Sequence, residues 1–202
     1  LAKYTMRLLE FTEYKNKAIF TAGLPGSGKS TVVHKLTADL GLPIIDVDKF
    51  YSLDLAKGRA AGDYEKYTEK AGKQIDIHVR RHRSIVLDGT GTNVARYSQT
   101  KNQLENLSYE CLLLYVATDL DQAEERAQTR AEQTGRTVDV HSYFQKLQKS
   151  FDSLTRLFDR SIVMVDNNPT RPDLMSAQRK ILQFLRHDLS IVKFNFCLLM
   201  TD

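Results

Sequence analysis

One run of residues constrains this chain more than any other: Gly23-Leu24-Pro25-Gly26-Ser27-Gly28-Lys29-Ser30-Thr31 meets the phosphate-binding pattern G-x-x-x-x-G-K-[ST] at every required position. The pattern has its chemistry only between a strand and a helix, and both flanks fit. Lys17 to Ala22 is a short apolar run that predicts a buried strand, and Thr31 to Leu40 follows with helical spacing until Gly41 stops it. Phosphate oxygens must be met by several backbone N–H groups at once. Glycines at 23, 26 and 28 allow that close approach, as would the loop backbone at Ser27 and Thr31. Lys29 is then placed to neutralise β- and γ-phosphates, and the Ser30 hydroxyl to hold Mg²⁺. The plain alternative is an ordinary Gly-Ser-Gly turn before an ordinary helix; strand, motif and helix in register argue against it.

Downstream, apolar runs alternate with amphipathic stretches. Ile44 to Asp48 predicts a second strand with acidic residues at its end, and residues 49–62 a loop or broken helix. Asp63 to Arg83 is expected to be helical, with Tyr64, Tyr67, Ala71, Ile75, Ile77 and Val79 on one side. Ser84 to Asp88 is a third strand, Val94 to Leu107 a helix, and Cys111 to Val116 a fourth strand. A polar helix opens near Asp119 to Asp121 and breaks at Gln133 to Arg136; His141 to Phe158 is a core-facing helix. Ser161 to Val165 is a fifth strand, Arg171 to His187 a last helix, and the apolar tail Ile191 to Met200 calls for cover. Residues 1–16 form a lead-in without a clear period. This order predicts an α/β fold, a five-stranded parallel sheet with helices on both faces, as one domain over residues 1–202. In such sheets ligands bind at the carboxyl ends of the strands, so the loop, Asp46 and Asp48, residues 88–93 and residues 166–168 are expected to line one crevice.

Composition narrows the classes. With 42% hydrophobic and 27% charged residues the chain reads as a globular protein, and no apolar run approaches the ~20 residues of a membrane span. The first ten residues lack a secretory pattern; they begin with Leu1, which makes Met6 a candidate start. The two cysteines, Cys111 and Cys197, lie far apart in apolar runs, which predicts reduced thiols and a cytoplasmic setting. The five histidines are scattered without zinc-ligand spacing.

A phosphate loop alone does not separate a GTPase, a motor ATPase and a small kinase. A GTPase reads guanine with Asn-Lys-x-Asp at a strand end, whereas Asn16-Lys17 precedes the loop and is followed by Ala18 and Ile19. A motor ATPase is expected to follow its strand-end Asp with a water-activating Glu, but here the strand ends Leu87-Asp88-Gly89. What the chain has instead is a carboxylate pair one strand after the loop and an arginine-bearing segment after the fourth strand, which are the parts of a kinase.

In order, the phosphate loop, Asp46-Val47-Asp48, the stretch Leu87 to Arg96 and Arg126-x-x-x-Arg130 resemble the P-loop NTPase group, nucleoside-monophosphate-kinase-like in fold, that contains polynucleotide 5′-kinases, zeta toxins and bacteriophage kinases of 5-hydroxymethyluracil in DNA. The resemblance spans roughly residues 17–168. It implies an ATP- and Mg²⁺-dependent kinase of a hydroxyl group, with Asp48 as the base and Asp46 as second choice for it. It further implies an acceptor side of Asp46, Asp88, Thr90, Asn93 and Arg96, with Arg126 and Arg130 closing over ATP. Tyr51 stands where polynucleotide kinases typically carry an arginine, which argues against a 5′-terminal acceptor and leaves a hydroxymethyl group in DNA as the expected one. A sugar nucleotide, as in zeta toxins, is the first alternative, and a nucleotide-switched nucleic-acid-binding protein the second. Each site residue also has a plain reading: Asp46 or Asp48 capping a helix, Asp88 forming a turn, Arg126 and Arg130 pairing with Glu124 and Glu125. The net charge of +4 permits an anionic partner. Between Lys57 and Arg83 eight basic residues face four acidic ones, and with Tyr64, Tyr67, His78 and His82 this stretch is expected either to be a solvated face or to track a DNA backbone.

Overall fold

The computed structural model describes residues 15–50, 64–135, 137–159, 161–168 and 174–186. Five strands, β1 (Lys17–Ala22), β2 (Ile44–Asp46), β3 (Ile85–Asp88), β4 (Glu110–Ala117) and β5 (Ile162–Asp166), make one parallel sheet in the order β2-β3-β1-β4-β5. The helices bounded among the described residues are α1 (Lys29–Thr37), α2 (Tyr64–Val79), α3 (Val94–Asn106), α4 (Leu120–Thr134), α5 (Val140–Phe158) and α6 (Leu174–Arg186). This is the P-loop NTPase fold expected from the alternation of elements.

β1 is the middle strand, and all six of its residues are buried. Alternation along it feeds two cores. Ala18, Phe20 and Ala22 face one side with Ala71 of α2, Leu104 of α3 and Leu154 and Phe158 of α5. Ile19 faces the other with Val32, Val33 and Leu36 of α1 and Ile181 and Phe184 of α6. A third, smaller cluster joins Leu24 of the phosphate loop to Ala123 of α4 and Val140 and Leu147 of α5. β1 stands between β3 and β4; the chain runs from β1 out to β2 on one side and later crosses from β3 to β4 on the other, so the topological switch point, where such sheets open a crevice, lies at the carboxyl end of β1. The phosphate loop fills it.

Several boundaries differ from the sequence reading. The second strand ends at Asp46, and residues 47–50 are helical, so Asp48 stands in a helical turn rather than on a strand. α1 begins at Lys29, two residues early, and closes in a 3₁₀ turn, Ala38–Leu40, before left-handed Gly41. α2 ends at Val79, where the His78 and Val79 carbonyls take back the amides of residues 81–83 in a tight turn. Its buried line is Tyr67, Ala71, Ile75 and Val79 at every fourth residue; Ile77 is 43% exposed.

That turn also corrects the DNA-tracking expectation. Arg80, Arg81 and Arg83 lead into the amino end of β3, beside Asn16 at the amino end of β1, where the Asn16 amide donates to the His82 carbonyl at 3.1 Å. They lie a strand's length, ~13 Å, from the carboxyl edge that carries Asp88. Tyr67, expected among the residues reaching a nucleic acid, is fully buried. Lys57, Arg59, Tyr51, the lead-in, the tail Ile191 to Met200 and Cys197 lie outside the described residues. Cys111 packs as a buried free thiol whose pKa burial pushes up to about 12. Among the described residues no helix is long and apolar enough to cross a membrane.

Candidate active site

The phosphate loop is held from three sides. The Gly23 amide donates to the Thr90 carbonyl at 3.1 Å, tying the loop to the β3–α3 connection. The Ser27 amide donates to the Leu24 carbonyl at 3.1 Å, which closes a turn across Pro25-Gly26. Gly26 has φ +84°, and any Cβ there would collide with the Ala123 carbonyl. That glycine therefore makes room for α4, not only for a ligand. Ser27 is fully buried with its hydroxyl unpartnered, so only its backbone is available to a phosphate. Ser30 and Thr31 are exposed in the first turn of α1, where free amides favour an anion.

Lys29 folds back over the loop, its ammonium donating to the Gly23 and Leu24 carbonyls at 2.8 Å each. Burial lowers its pKa from 10.5 to about 8. The charges of Asp88, Asp48 and Asp46 pull it back up and that of Arg130 pushes it down. The structure thus brings together residues that the sequence spreads over about a hundred positions.

The carboxylates are not equivalent. Asp46 and Asp88 are register partners at the ends of β2 and β3, on neighbouring strands ~4.8 Å apart. Asp46 accepts the Asp48 amide at 2.8 Å and so caps the helical turn that carries Asp48. The plain reading of Asp46 as a cap holds. Burial, with the charges of Asp88 and Asp48 beside it, raises the pKa of Asp46. Asp88 is anchored instead by Thr21, whose hydroxyl donates to Asp88 Oδ1 at 2.5 Å and accepts the Gly89 amide at 3.0 Å. Thr21 is itself fixed by the buried Tyr97 hydroxyl, which donates to its carbonyl at 2.6 Å; burial drives the Tyr97 pKa well up, so the phenol stays a donor. The hydroxyls of Thr90 and Thr92 pair at 3.0 Å. Asn93 caps α3 by accepting the Arg96 amide at 3.0 Å, and the exposed Arg96 guanidinium comes within 3.5 Å of the Thr68 hydroxyl on α2. Asn93 and Arg96 sit at the rim of the carboxylate side, and the Asn93 side-chain oxygen is engaged in the cap.

Across the loop, α4 carries the two arginines on a face with Gln122, Glu125, Thr129 and Gln133 that borders an open pocket of about 440 Å³. Arg126 is half-buried, and its guanidinium donates to the Asn167 carbonyl at 3.2 Å and to Gln122 at 3.0 Å. Its bonds run to the end of β5 rather than to Glu124 or Glu125. Arg130, one turn on, is exposed and is the arginine whose charge Lys29 feels. Asn168 accepts the Asp119 amide at 2.9 Å and Asn167 donates to the Ser27 carbonyl at 2.7 Å, so the end of β5 braces both α4 and the loop. Thr21, Tyr97 and Ala123 are structural parts of this site that sequence reasoning did not single out, and Asn167, expected to line the crevice, also holds the loop. Only Asn167 left a signal, its place at a strand end.

The oxygen donors here suit a hard cation. The Ser30 hydroxyl is exposed in the first turn of α1, and among the described residues no group of three or more His, Cys, Asp or Glu forms a cage. Mg²⁺ held at Ser30 would draw its remaining ligands from phosphate and water, as that ion ordinarily does.

The sequence pattern of the AAA domain family matches residues 19–154, from β1 through most of α5. The chain belongs to the AAA domain family. Among curated proteins none matches it. Solved structures share this AAA domain's fold at low identity. A protein of Chloroflexus aurantiacus described as a candidate kinase is 16% identical, with TM-score 0.63, over 84% of this chain and 98% of that one. A structure from the PezAT chromosomal toxin–antitoxin system of Streptococcus pneumoniae is 21% identical, with TM-score 0.56, over 91% of this chain and 90% of that one. A chain of the Pnkp1/Rnl/Hen1 RNA repair complex is 18% identical, with TM-score 0.57, over 71% of this chain and 47% of that one. The shared fold is the P-loop NTPase fold.

Proposed function

We propose that this AAA domain is an ATP- and Mg²⁺-dependent phosphotransferase acting on an alcohol. The observation that carries the reading is what stands at the carboxyl ends of the strands beside the phosphate loop: Lys29 folded over the loop, Asp46 and Asp88 in register at the ends of β2 and β3, Asp48 held by the Asp46 cap, and Arg126 bonded to the Asn167 carbonyl past the end of β5. In this reading loop amides and Lys29 bind the β- and γ-phosphates, the Ser30 hydroxyl would hold a Mg²⁺ whose charge would offset that of the phosphates, and the acceptor enters over Asp46, Asp48, Asp88 and Thr90, with Asn93 and Arg96 at the rim. Asp48 takes the acceptor's proton as the oxygen attacks the γ-phosphorus, the bond to the β–γ bridging oxygen breaks, and ADP leaves. Asp46 is tied up as a cap, which supports Asp48 as the base. Arg130 offsets charge on the transferring group, while Arg126, fixed to the Asn167 carbonyl, holds the nucleotide side. β3 carries no glutamate after Asp88 to activate water, which favours transfer to a hydroxyl over motor-type hydrolysis.

The acceptor favoured by the sequence resemblance is the 5-hydroxymethyl group of 5-hydroxymethyluracil in DNA. One observation favours a second reading, a small metabolite such as a sugar nucleotide: Arg80, Arg81 and Arg83 stand at the far edge of the sheet and offer no phosphate track beside Asp88. Transfer of labelled γ-phosphate to a panel of hydroxymethyluracil DNA, DNA 5′-ends and sugar nucleotides separates them. Label on hydroxymethyluracil DNA alone supports the first reading and label on a free sugar nucleotide the second. Nucleotide binding with no labelled acceptor, together with a shift of DNA at low salt, would replace both with a nucleotide-switched binding protein.

A further inference from the structure

A phosphate loop works only if its peptide planes are turned with N–H groups inward and carbonyls outward, and nothing in the loop's own sequence enforces that orientation at every bond. At the bond between Ser27 and Gly28 the enforcement comes from outside. The Asn167 side-chain amide donates to the Ser27 carbonyl at 2.7 Å, across 140 residues of sequence. In a trans peptide the carbonyl and the following N–H point in opposite directions. Holding the Ser27 carbonyl toward β5 therefore turns the Gly28 N–H toward the opposite side, where the phosphates are expected.

Gly28 adopts φ +78°, and a Cβ there would collide with the Asn167 amide nitrogen, so Gly28 and Asn167 occupy one another's only available space. Asn167 is itself immobilised. Its own amide donates to the Ala117 carbonyl at the end of β4 at 2.8 Å, and its carbonyl accepts from Arg126 at 3.2 Å. Its neighbour Asn168 holds the start of α4 through the Asp119 amide at 2.9 Å. The side chain thus transmits a rigid sheet edge to a single rotatable peptide.

We infer that Asn167 is a positioning residue that locks the Ser27–Gly28 peptide in its phosphate-binding orientation. It touches no reacting atom; it acts through the Gly28 amide. The inference rests on the phosphate loop binding a nucleotide, the first element of the proposed function, and not on the identity of the acceptor.

Asn167→Asp keeps the shape but replaces the donor by a carboxylate, which repels the Ser27 carbonyl and favours the flipped peptide. Asn167→Ala removes the bond without that repulsion. ADP binding, measured by titration calorimetry, should weaken about 10- to 100-fold in Asn167→Asp and less in Asn167→Ala, the scale of losing one hydrogen bond to a charged group. Adenosine, which has no phosphate, should bind all three proteins alike. In ¹⁵N-resolved spectra the Gly28 amide proton of the parent should move downfield on ADP binding, and that movement should be lost in Asn167→Asp. A parent that binds ADP with Asn167→Asp equal to it in affinity and in the Gly28 shift would overturn the inference. Equal loss of adenosine and ADP would also overturn it, by showing a general disturbance of the nucleotide site. A parent that binds neither ADP nor ATP would sink the proposed function itself, a separate and recognisable failure.

Discussion

Lys29 is paid for in stability, and Lys29→Met isolates the cost. Burial holds its pKa near 8 in the folded protein, against 10.5 for an ordinary lysine. The folded state therefore binds this proton less well than the unfolded chain does. Below pH 8 the ammonium is charged in both states and its desolvation counts fully against folding. Between pH 8 and 10.5 the folded protein sheds the proton first, so stability rises, and above 10.5 the penalty is gone. A depression of that size corresponds to about 3 kcal/mol, somewhat less because water still reaches the half-buried side chain. Methionine keeps the length without the charge, but frees the Gly23 and Leu24 carbonyls, a loss that does not titrate. Urea unfolding of parent and variant at intervals from pH 7 to 10.5 should thus show the parent gaining about 2–3 kcal/mol relative to Lys29→Met across that window. Groups common to both proteins cancel in the difference. The same variant should lose phosphoryl transfer entirely while remaining folded, since Lys29 acts on phosphate charge and not in a core. Parallel stability curves from pH 8 to 10.5 would refute the argument, because they would mean that the ammonium titrates in the folded protein as it does in the unfolded one.

Two further outcomes follow from the site. Asp48→Asn should retain ATP binding and lower turnover about 10²–10⁴-fold, whereas Asp46→Asn should act mainly through the lost cap; steady-state kinetics in which Asp46→Asn is crippling and Asp48→Asn mild would transfer the role of base to Asp46. Arg130→Ala should lower kcat with little change in nucleotide KM, while Arg126→Ala, which releases the Asn167 carbonyl, should raise nucleotide KM more than it lowers kcat; the reverse split would exchange their roles.

The β1–loop–α1 unit was legible in the sequence because three independent signals coincide there: a buried apolar run, a complete motif and a helix with a glycine stop. Strand order was not, because an apolar run carries no mark of which side of β1 it will take, and only packing decides it. Ile44 to Asp48 reads as a strand residue by residue. Asp46 instead caps the next turn, a local competition that periodicity does not register. The basic stretch misled for a geometric reason: α2 runs back down the sheet, so residues near Asp88 in sequence lie at the opposite edge in space. Asn167 was placed at the crevice by its strand-end position, but its hold on the loop was not legible, because the partner carbonyl is 140 positions away.

The contact of Gly26 against the Ala123 carbonyl sets how α4 can move. The first turn of this helix is seated on the phosphate loop at Ala123, and Ala127 packs against the same cluster as Val140 and Leu147 of α5, so a tilt of the helix would pivot about its Ala123 end. Arg126 lies three residues beyond that anchor and Arg130 seven, lever arms of ~4.5 and ~10 Å, so a 10° tilt carries Arg130 roughly 2 Å and Arg126 less than half as far. The inner arginine therefore moves less than the outer one, and in the proposed reaction a bend of α4 beyond Ala123 would shift Arg130 against the transferred phosphoryl group before Arg126.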